Sequence, residues 1–356
     1  MRGPGSANRS ARKKLALTLL VVLGGALVFA RHTSAELPVI AATPTTDLPP
    51  RAAAQAKKSD RTPVNIYAVS HGACAFDAYW CVVERGMNDA RREMNVRVTL
   101  LTTDKFDLEA TARNIDRAVA AKPDVLIVTI TDQLLFDEPI RRAVTAGIPV
   151  IAYDSLDTRP KNERIPYLTY VGPDDYQGGY QAGDHFVKAG GKTKAVCINQ
   201  QVGHVLLDLR CQGLTDRLAE DKIPVDVLGV SDDPVQSTTT ISAYHVSHPN
   251  VDMFLTLGPN SASPFYAFIE AAGLQPGDVL HGTFDLGPQI VDKIKNRTTL
   301  FAIDGQPYVV GYLPVFWGVM IKRFGISPPT DITATGPGFV DGTNLGVVEN
   351  LAGTYR

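Results

Sequence analysis

The chain has 356 residues, 44% of them hydrophobic and 20% charged, enough for two lobes that each bury a core. The formal net charge is −2, but residues 1–35 carry six basic residues and no acid, and the rest holds 29 Lys and Arg against 37 Asp and Glu, a net of −8. A mildly acidic body speaks against nucleic acid as a partner.

Arg12-Lys13-Lys14, the apolar run Leu15 to Ala30 and the small residues Thr33-Ser34-Ala35 read as a secretory signal over residues 1–35. The run is short for a membrane span, which takes about 20 apolar residues, and an uncleaved anchor is the alternative to cleavage. Residues 36–62, rich in Pro, Ala, Thr and charge, read as a flexible spacer. Export would put the four cysteines in an oxidising compartment. Three connectivities are open. Spacing favours the local pairs Cys74 with Cys81 and Cys197 with Cys211, the bland alternative for Cys197 being a buried strand residue.

From Pro63 onward the pattern alternates. Val64–Ser70 is a strand candidate, followed by the loop Ser70–Trp80 and an amphipathic helix over Cys81–Met94. Val96–Leu101 is a strand, Asp107–Ala121 a helix, Pro123–Thr129 a nearly all-apolar strand. Phe136–Ala146 is a helix closed by Gly147, and Ile148–Tyr153 a strand ending at Asp154. Tyr167–Val171 is a strand. The helix opened by Gly172-Pro173-Asp174 runs through Val187 and contains Gly178, Gly179 and Gly183, which suggest close packing or a flexed crossing segment, the bland alternative being loose packing. A second series follows: strands at Lys194–Asn199, Val225–Val230, Val251–Leu257, Val279–Phe284 and Leu300–Ile303. Helices at His204–Glu220, Val235–Ser247, Ser263–Ala272 and Gln289–Lys295 separate them. Val309–Phe324 is an apolar helix, and Ile332–Val340 could return one strand. Apolar strands separated by helices imply buried parallel sheets, and two such series imply an α/β chain of two doubly wound lobes of like design.

Polar residues gather where strands end, the usual place for a ligand in an open α/β sheet. The first loop holds Phe76, Asp77, Tyr79 and Trp80. Rings can cover C–H faces, and an acid can accept hydroxyl protons. Asp154 and Asp285 each follow an apolar strand, and Arg210, Asn260 and Gln306 complete a set suited to a polyhydroxylated ligand. Asp132 reads better as a helix cap. His71 and His204 fall in loops facing the same cleft and could donate to hydroxyls, although a lone loop histidine is ordinarily solvated. The sequence has no G-x-S-x-G elbow, no phosphate loop, no G-x-G-x-x-G after a strand and no H-E-x-x-H, so hydrolase, nucleotide and zinc-protease chemistry lack support and neither metal nor cofactor is expected.

The order of these motifs resembles the periplasmic sugar-binding proteins of the ribose-binding type, the type I solute-binding proteins of ABC transporters, over roughly residues 64–345. Phe76-Asp77-Ala78-Tyr79-Trp80 with Gly86 resembles that family's first ligand loop. Ile148-Pro149-Val150 through Asp154 resembles its strand ending in a sugar-binding Asp. Gly172 through Gly183 resembles its first interlobe crossing. Arg210-Cys211-Gln212-Gly213-Leu214, Gly258-Pro259-Asn260, Thr283-Phe284-Asp285 and Gln306-Pro307 resemble its remaining ligand and crossing motifs. Ser155 stands where the ribose binders have Arg, Asp77 where they have Asn, and Gly305 at the place of a ligand glutamine, leaving Gln306 one position off. The resemblance implies a hinge-closing, extracytoplasmic binding protein, not an enzyme, that delivers a monosaccharide or polyol to an ABC permease as a monomer. The departures point to a hexose, pentitol or cyclitol. It also implies discontinuous lobes, 64–172 with 306–330 and 173–305 with 331–356. A sensor subunit of the same fold is one alternative. A secreted carbohydrate enzyme using Asp154 and Asp285 is a remote one.

Overall fold

The computed structural model describes residues 63–356. The signal expected over 1–35 and the spacer over 36–62 lie outside the described residues. Two six-stranded sheets carry the fold. In chain order the elements are β1 (Asn65–Val69), α1 (Ala78–Glu93), β2 (Arg97–Leu101), α2 (Leu108–Ala120), β3 (Val125–Val128), α3 (Asp137–Thr145), β4 (Val150–Tyr153), β5 (Tyr170–Gly172) and α4 (Asp175–Lys188). There follow β6 (Ala195–Asn199), α5 (Val205–Glu220), β7 (Val225–Gly229), α6 (Pro234–Ser247), β8 (Met253–Thr256), α7 (Pro259–Ala271), β9 (Leu280–Phe284) and α8 (Pro288–Lys295). The last are β10 (Phe301–Asp304), α9 (Pro307–Val319), β11 (Ile332–Ala334) and β12 (Gly338–Asp341).

The first sheet has the order β11-β5-β4-β3-β1-β2 and the second β12-β10-β9-β8-β6-β7, so the two lobes share one topology. Each sheet is covered on both faces, which is why its central strands read as continuous apolar runs. In β3, Val125 and Ile127 enter the core under α1 and α9, while Leu126 and Val128 enter the core under α2 and α3. In β6, Ala195 and Cys197 face the core of α4 and α5, and Val196 and Ile198 face that of α7 and α8. Two doubly wound lobes are therefore present, as expected.

The expected single tail strand is corrected. Ile332–Ala334 pairs in parallel with β5 in the first sheet, and Gly338–Asp341 pairs antiparallel with β10 in the second. The tail from 331 thus begins in the first lobe. Its passage to β12 is the third crossing between lobes, after β5 to α4 and β10 to α9. The crossings are bonded to one another: Thr335 N–H donates to Gly172 O at 3.0 Å, Asp174 N–H to Gly336 O at 3.1 Å and Thr335 Oγ1 to Gly305 O at 2.7 Å.

Of the readings open for the glycines of α4, close packing holds. They sit in a regular helix that packs closely on its neighbour, rather than in a flexed segment. A Cβ on Gly179 would stand 1.9 Å from the Arg210 carbonyl oxygen, and one on Gly213 of α5 would stand 2.1 Å from that of Tyr176. The α1–α9 pair repeats the arrangement, with Gly86 against Tyr308 O and Gly311 against Val83 O. Close backbone approach is the reason for glycine at these four positions. Beside each contact, two tyrosines a helical turn apart donate to two acids a turn apart: Tyr308 and Tyr312 to Asp89 and Glu93, Tyr176 and Tyr180 to Asp216 and Glu220. Gly179→Ala is expected to force α4 from α5 and to lower stability by about 1–3 kcal/mol, as overpacking does. Urea denaturation checks this, and an unchanged midpoint would mean that the helices are not held at this spacing.

Candidate functional site

The carboxyl ends of both sheets face one cavity between the lobes. It has about 360 Å³ of empty volume. From the first lobe it is lined by His71, Asp77, Tyr79, Trp80 and Asp154, and from the second by Gln200, Gln201, His204, Arg210 and Asp285 among others.

Each side chain is placed by the turn that follows its strand. Helix α1 starts three residues earlier than its apolar periodicity suggests, because Asp77 caps it by accepting from Tyr79 N–H at 2.9 Å. Tyr79 and Trp80 therefore lie in the first helical turn. Trp80 is buried with the α1–α9 core, edge-on to Tyr153, while still lining the cavity, so the core and cavity readings of this ring both hold. Tyr79 and Asp154 line the cavity from the same lobe. Cys74 and Cys81 are joined across this loop, S–S 2.03 Å, and Cys197 of β6 is joined to Cys211 of α5, S–S 2.02 Å, the local pairing favoured by spacing. Cys197 is both bonded and buried.

Asp154 and Asp285 occupy equivalent positions, one residue beyond β4 and β9, and both have left-handed backbones, with φ of 62° and 65°. Asp and Asn tolerate that region better than other residues with a Cβ. The turn aims each carboxylate over the end of its sheet. Arg210 is fixed in the second lobe: Nε donates to Asp175 Oδ1 at 2.8 Å, Nη1 donates to Leu257 O at 2.7 Å, and the guanidinium lies 4.1 Å from the Phe284 ring centre.

Buried carboxylates outnumber buried cations here. Burial pushes Asp77 and Asp154 up to about 6, Asp175 up to about 7 and Asp285 up to about 8, with Arg210 acting against the rise in every case. Burial disfavours the charge on Arg210 too, but Asp175 and Asp285 outweigh it and hold the guanidinium charged.

The histidines are not solvated. His71 and His204 are 4% and 1% exposed, and their Nε2 atoms are 3.2 Å apart. Each loop turns its ring inward, where Phe106 stacks on His204 and Trp80 meets His71 edge-on. His71, Asp154 and His204 are the one set of three possible metal ligands found among the described residues. The donors fit a metal poorly. Asp154 stands on the Nδ1 side of the His71 ring and His204 on the Nε2 side. The His204 Nδ1 atom already accepts from Leu206 N–H at 3.2 Å.

Three expected residues lie elsewhere. Phe76 and Asn260 line a neighbouring groove and touch across the lobes, Asn260 Nδ2 donating to Phe76 O at 3.4 Å. Gln306 caps α9 at the second crossing with φ of 57°, and its N–H donates to Asp304 Oδ1 at 2.7 Å. Gln200, Gln201 and Asp175 were missed. The first two directly follow Asn199 at the end of β6, a position that strand-end reasoning could have flagged, and Gln200 Oε1 is buried without a partner. Asp175 faces inward from a helix start and carries no local signal.

A carboxylate held near pH 8 by burial has a definite stability signature. The unfolded group ionises near pH 4 and the folded one near pH 8, so the folded state loses stability as pH rises between them. Asp285→Asn, neutral and tolerant of the same φ, is expected to melt level with the parent below about pH 4 and several degrees above it at about pH 8, without ligand. Parallel melting curves at every pH would show that Asp285 is not desolvated.

Residues 73–322 match the family model described as a periplasmic binding protein domain. A solved carbohydrate transporter from Acidothermus cellulolyticus 11B, in complex with myo-inositol, is 31% identical with a TM-score of 0.73, over 81% of this chain and 97% of that one. The xylose/arabinose-binding protein XylF of Sulfolobus acidocaldarius is 23% identical over 66% of this chain. The ABC transporter periplasmic-binding protein YphF of Escherichia coli is 28% identical over 37% of it. The matched spans cover 61% and 35% of those two relatives.

Proposed function

The chain belongs to the periplasmic binding protein domain family, and from that premise we propose that it is an extracytoplasmic binding protein that captures a monosaccharide-sized polyol, a cyclitol foremost, and delivers it to an ABC permease. The observation that carries the reading is the interlobe cavity, small and lined mostly by polar side chains that both lobes supply. The myo-inositol held by a relative at 31% identity supports the cyclitol choice.

In this reading Asp77, Asp154 and Asp285 accept hydroxyl protons. Arg210 presents its remaining amine nitrogen, Gln200 and Gln201 donate or accept as needed, and Tyr79 and Trp80 cover C–H faces. Ligand hydroxyls replace the water that a buried carboxylate lacks, so binding relieves the burial described above. Because the contacts come from both lobes, the ligand binds the closed form better than the open one and shifts the equilibrium toward it. The closed form, joined through three mutually bonded crossings, is what the permease would receive. No chemical step is assigned to the acids.

Calorimetric titration with cyclitols, pentitols, pentoses and hexoses tests this. Saturable binding of at least one, myo-inositol first among them, is expected. Asp285→Asn should weaken it about 10-fold or more, the worth of a hydrogen bond to a charged group. The absence of saturable heat across the panel would sink the reading.

A further inference from the structure

The two histidines of the cavity wall form the central link of a hydrogen-bond chain that runs from one lobe to the other. Leu206 N–H donates to His204 Nδ1 at 3.2 Å, which leaves the proton of neutral His204 on Nε2. That proton points at His71 Nε2, 3.2 Å away, which must accept. His71 then carries its own proton on Nδ1, 3.1 Å from Thr129 Oγ1, and the Thr129 hydroxyl faces Asp154 Oδ2 at 3.4 Å. Every donor and acceptor in the chain is used once, and its direction is fixed at one end by a backbone amide and at the other by a carboxylate. No ring nitrogen is left for a ligand hydroxyl.

The chain crosses the cleft at a single bond, His204 to His71, and two other contacts flank it. Val205 N–H, in the first turn of α5, donates to Thr131 O of the first lobe at 3.2 Å. Phe106 of the first lobe stacks on the His204 ring at 5.6 Å. We infer that His71 and His204 are a proton-sensitive interlobe latch that holds the closed form and orients Asp154, rather than ligand contacts. Adding a proton to His71 puts N–H against N–H across the lobes at 3.2 Å and breaks the link, while a proton added to His204 goes to Nδ1 and sets it against the Leu206 N–H that positions the ring.

The surroundings set the sign of the pH response. His71 faces Asp154 and Thr129 from the first lobe, Trp80 and Phe106 on its flanks, and His204 with Arg210 from the second. Burial, then Arg210, lowers His71 to about 3, and burial, then His71 and Arg210, lowers His204 well below its ordinary value. A histidine whose closed-form pKa is depressed stabilises closure above its ordinary pKa of about 6.5, and that stabilisation is lost as pH falls. Asp77, Asp154, Asp175 and Asp285, raised by burial, act in the opposite sense, since their closed forms take up protons in acid. The histidine contribution is therefore read as a difference between variants.

The test titrates myo-inositol into wild type, His71→Gln, His204→Gln and the double variant at about pH 7.5 and about pH 5. Each histidine that regains its ordinary pKa on opening should weaken wild-type affinity about 30-fold between these values, relative to the double variant. The single variants should fall between. The same pH slope in all four proteins overturns the latch. The binding proposal above supplies only the probe. Should myo-inositol fail to bind, that ligand assignment falls, and small-angle scattering of the ligand-free proteins over the same pH range decides the latch. Wild type opening in acid while the double variant does not supports it, and superimposable curves refute it.

Discussion

One buried guanidinium holds the electrostatics of the interlobe cavity together. Four carboxylates, Asp77, Asp154, Asp175 and Asp285, are out of water around it, and Arg210 lowers the cost of ionising each. The same charge discourages protons on His71 and His204. Its position is over-determined. The adjacent Cys211 is bonded to β6, the Arg210 carbonyl is pressed against Gly179, and the guanidinium is clamped between Asp175, the Leu257 carbonyl and the Phe284 ring. A charge that must serve several partners in a low-dielectric space has to be held rigidly, because its effect on each depends on distance.

The lobes themselves are built as rigid bodies of one design. In each, a pair of helices meets through glycines at backbone distance and is laced by two tyrosine-to-acid bonds, and each sheet is sandwiched between two cores. The chain passes between them at three crossings, which are hydrogen-bonded to one another. The C-terminal residue joins them there: Arg356 Nη2 is 2.6 Å from Asp304 Oδ2 at the end of β10, and Tyr355 lies against Tyr308 of the first lobe.

Much of the fold was legible in the sequence because its cues are local. Apolar runs of strand length, separated by amphipathic helices, marked β1 to β10, and strand ends marked Asp154, Asp285 and the first loop. What the sequence hid was long-range. The tail Ile332–Val340 reads as one strand, yet its halves pair with partners some 160 residues away and 40 residues away, in different sheets. Asp175 is invisible because its role depends on an arginine 35 residues on. His71 and His204 look like solvated loop residues, because nothing local shows that two loops from opposite lobes meet there. Gln306 matches a ligand motif by position, but the left-handed turn at the crossing directs its backbone to Asp304 instead.

The left-handed turns at Asp154 and Asp285 also shape how such a protein can evolve. Most side chains are strained at these φ values, and glycine would leave no functional group, so Asp and Asn are the substitutions open to drift. Exchange between them alters charge with almost no change in size or backbone. If these two acids bind ligand as proposed, a lineage can retune which ligands it accepts by exchanging a single group at two mirrored positions while the architecture around them stays fixed. Specificity in this scaffold would then diverge faster than shape, and two descendants with nearly superimposable cavities could feed on different compounds.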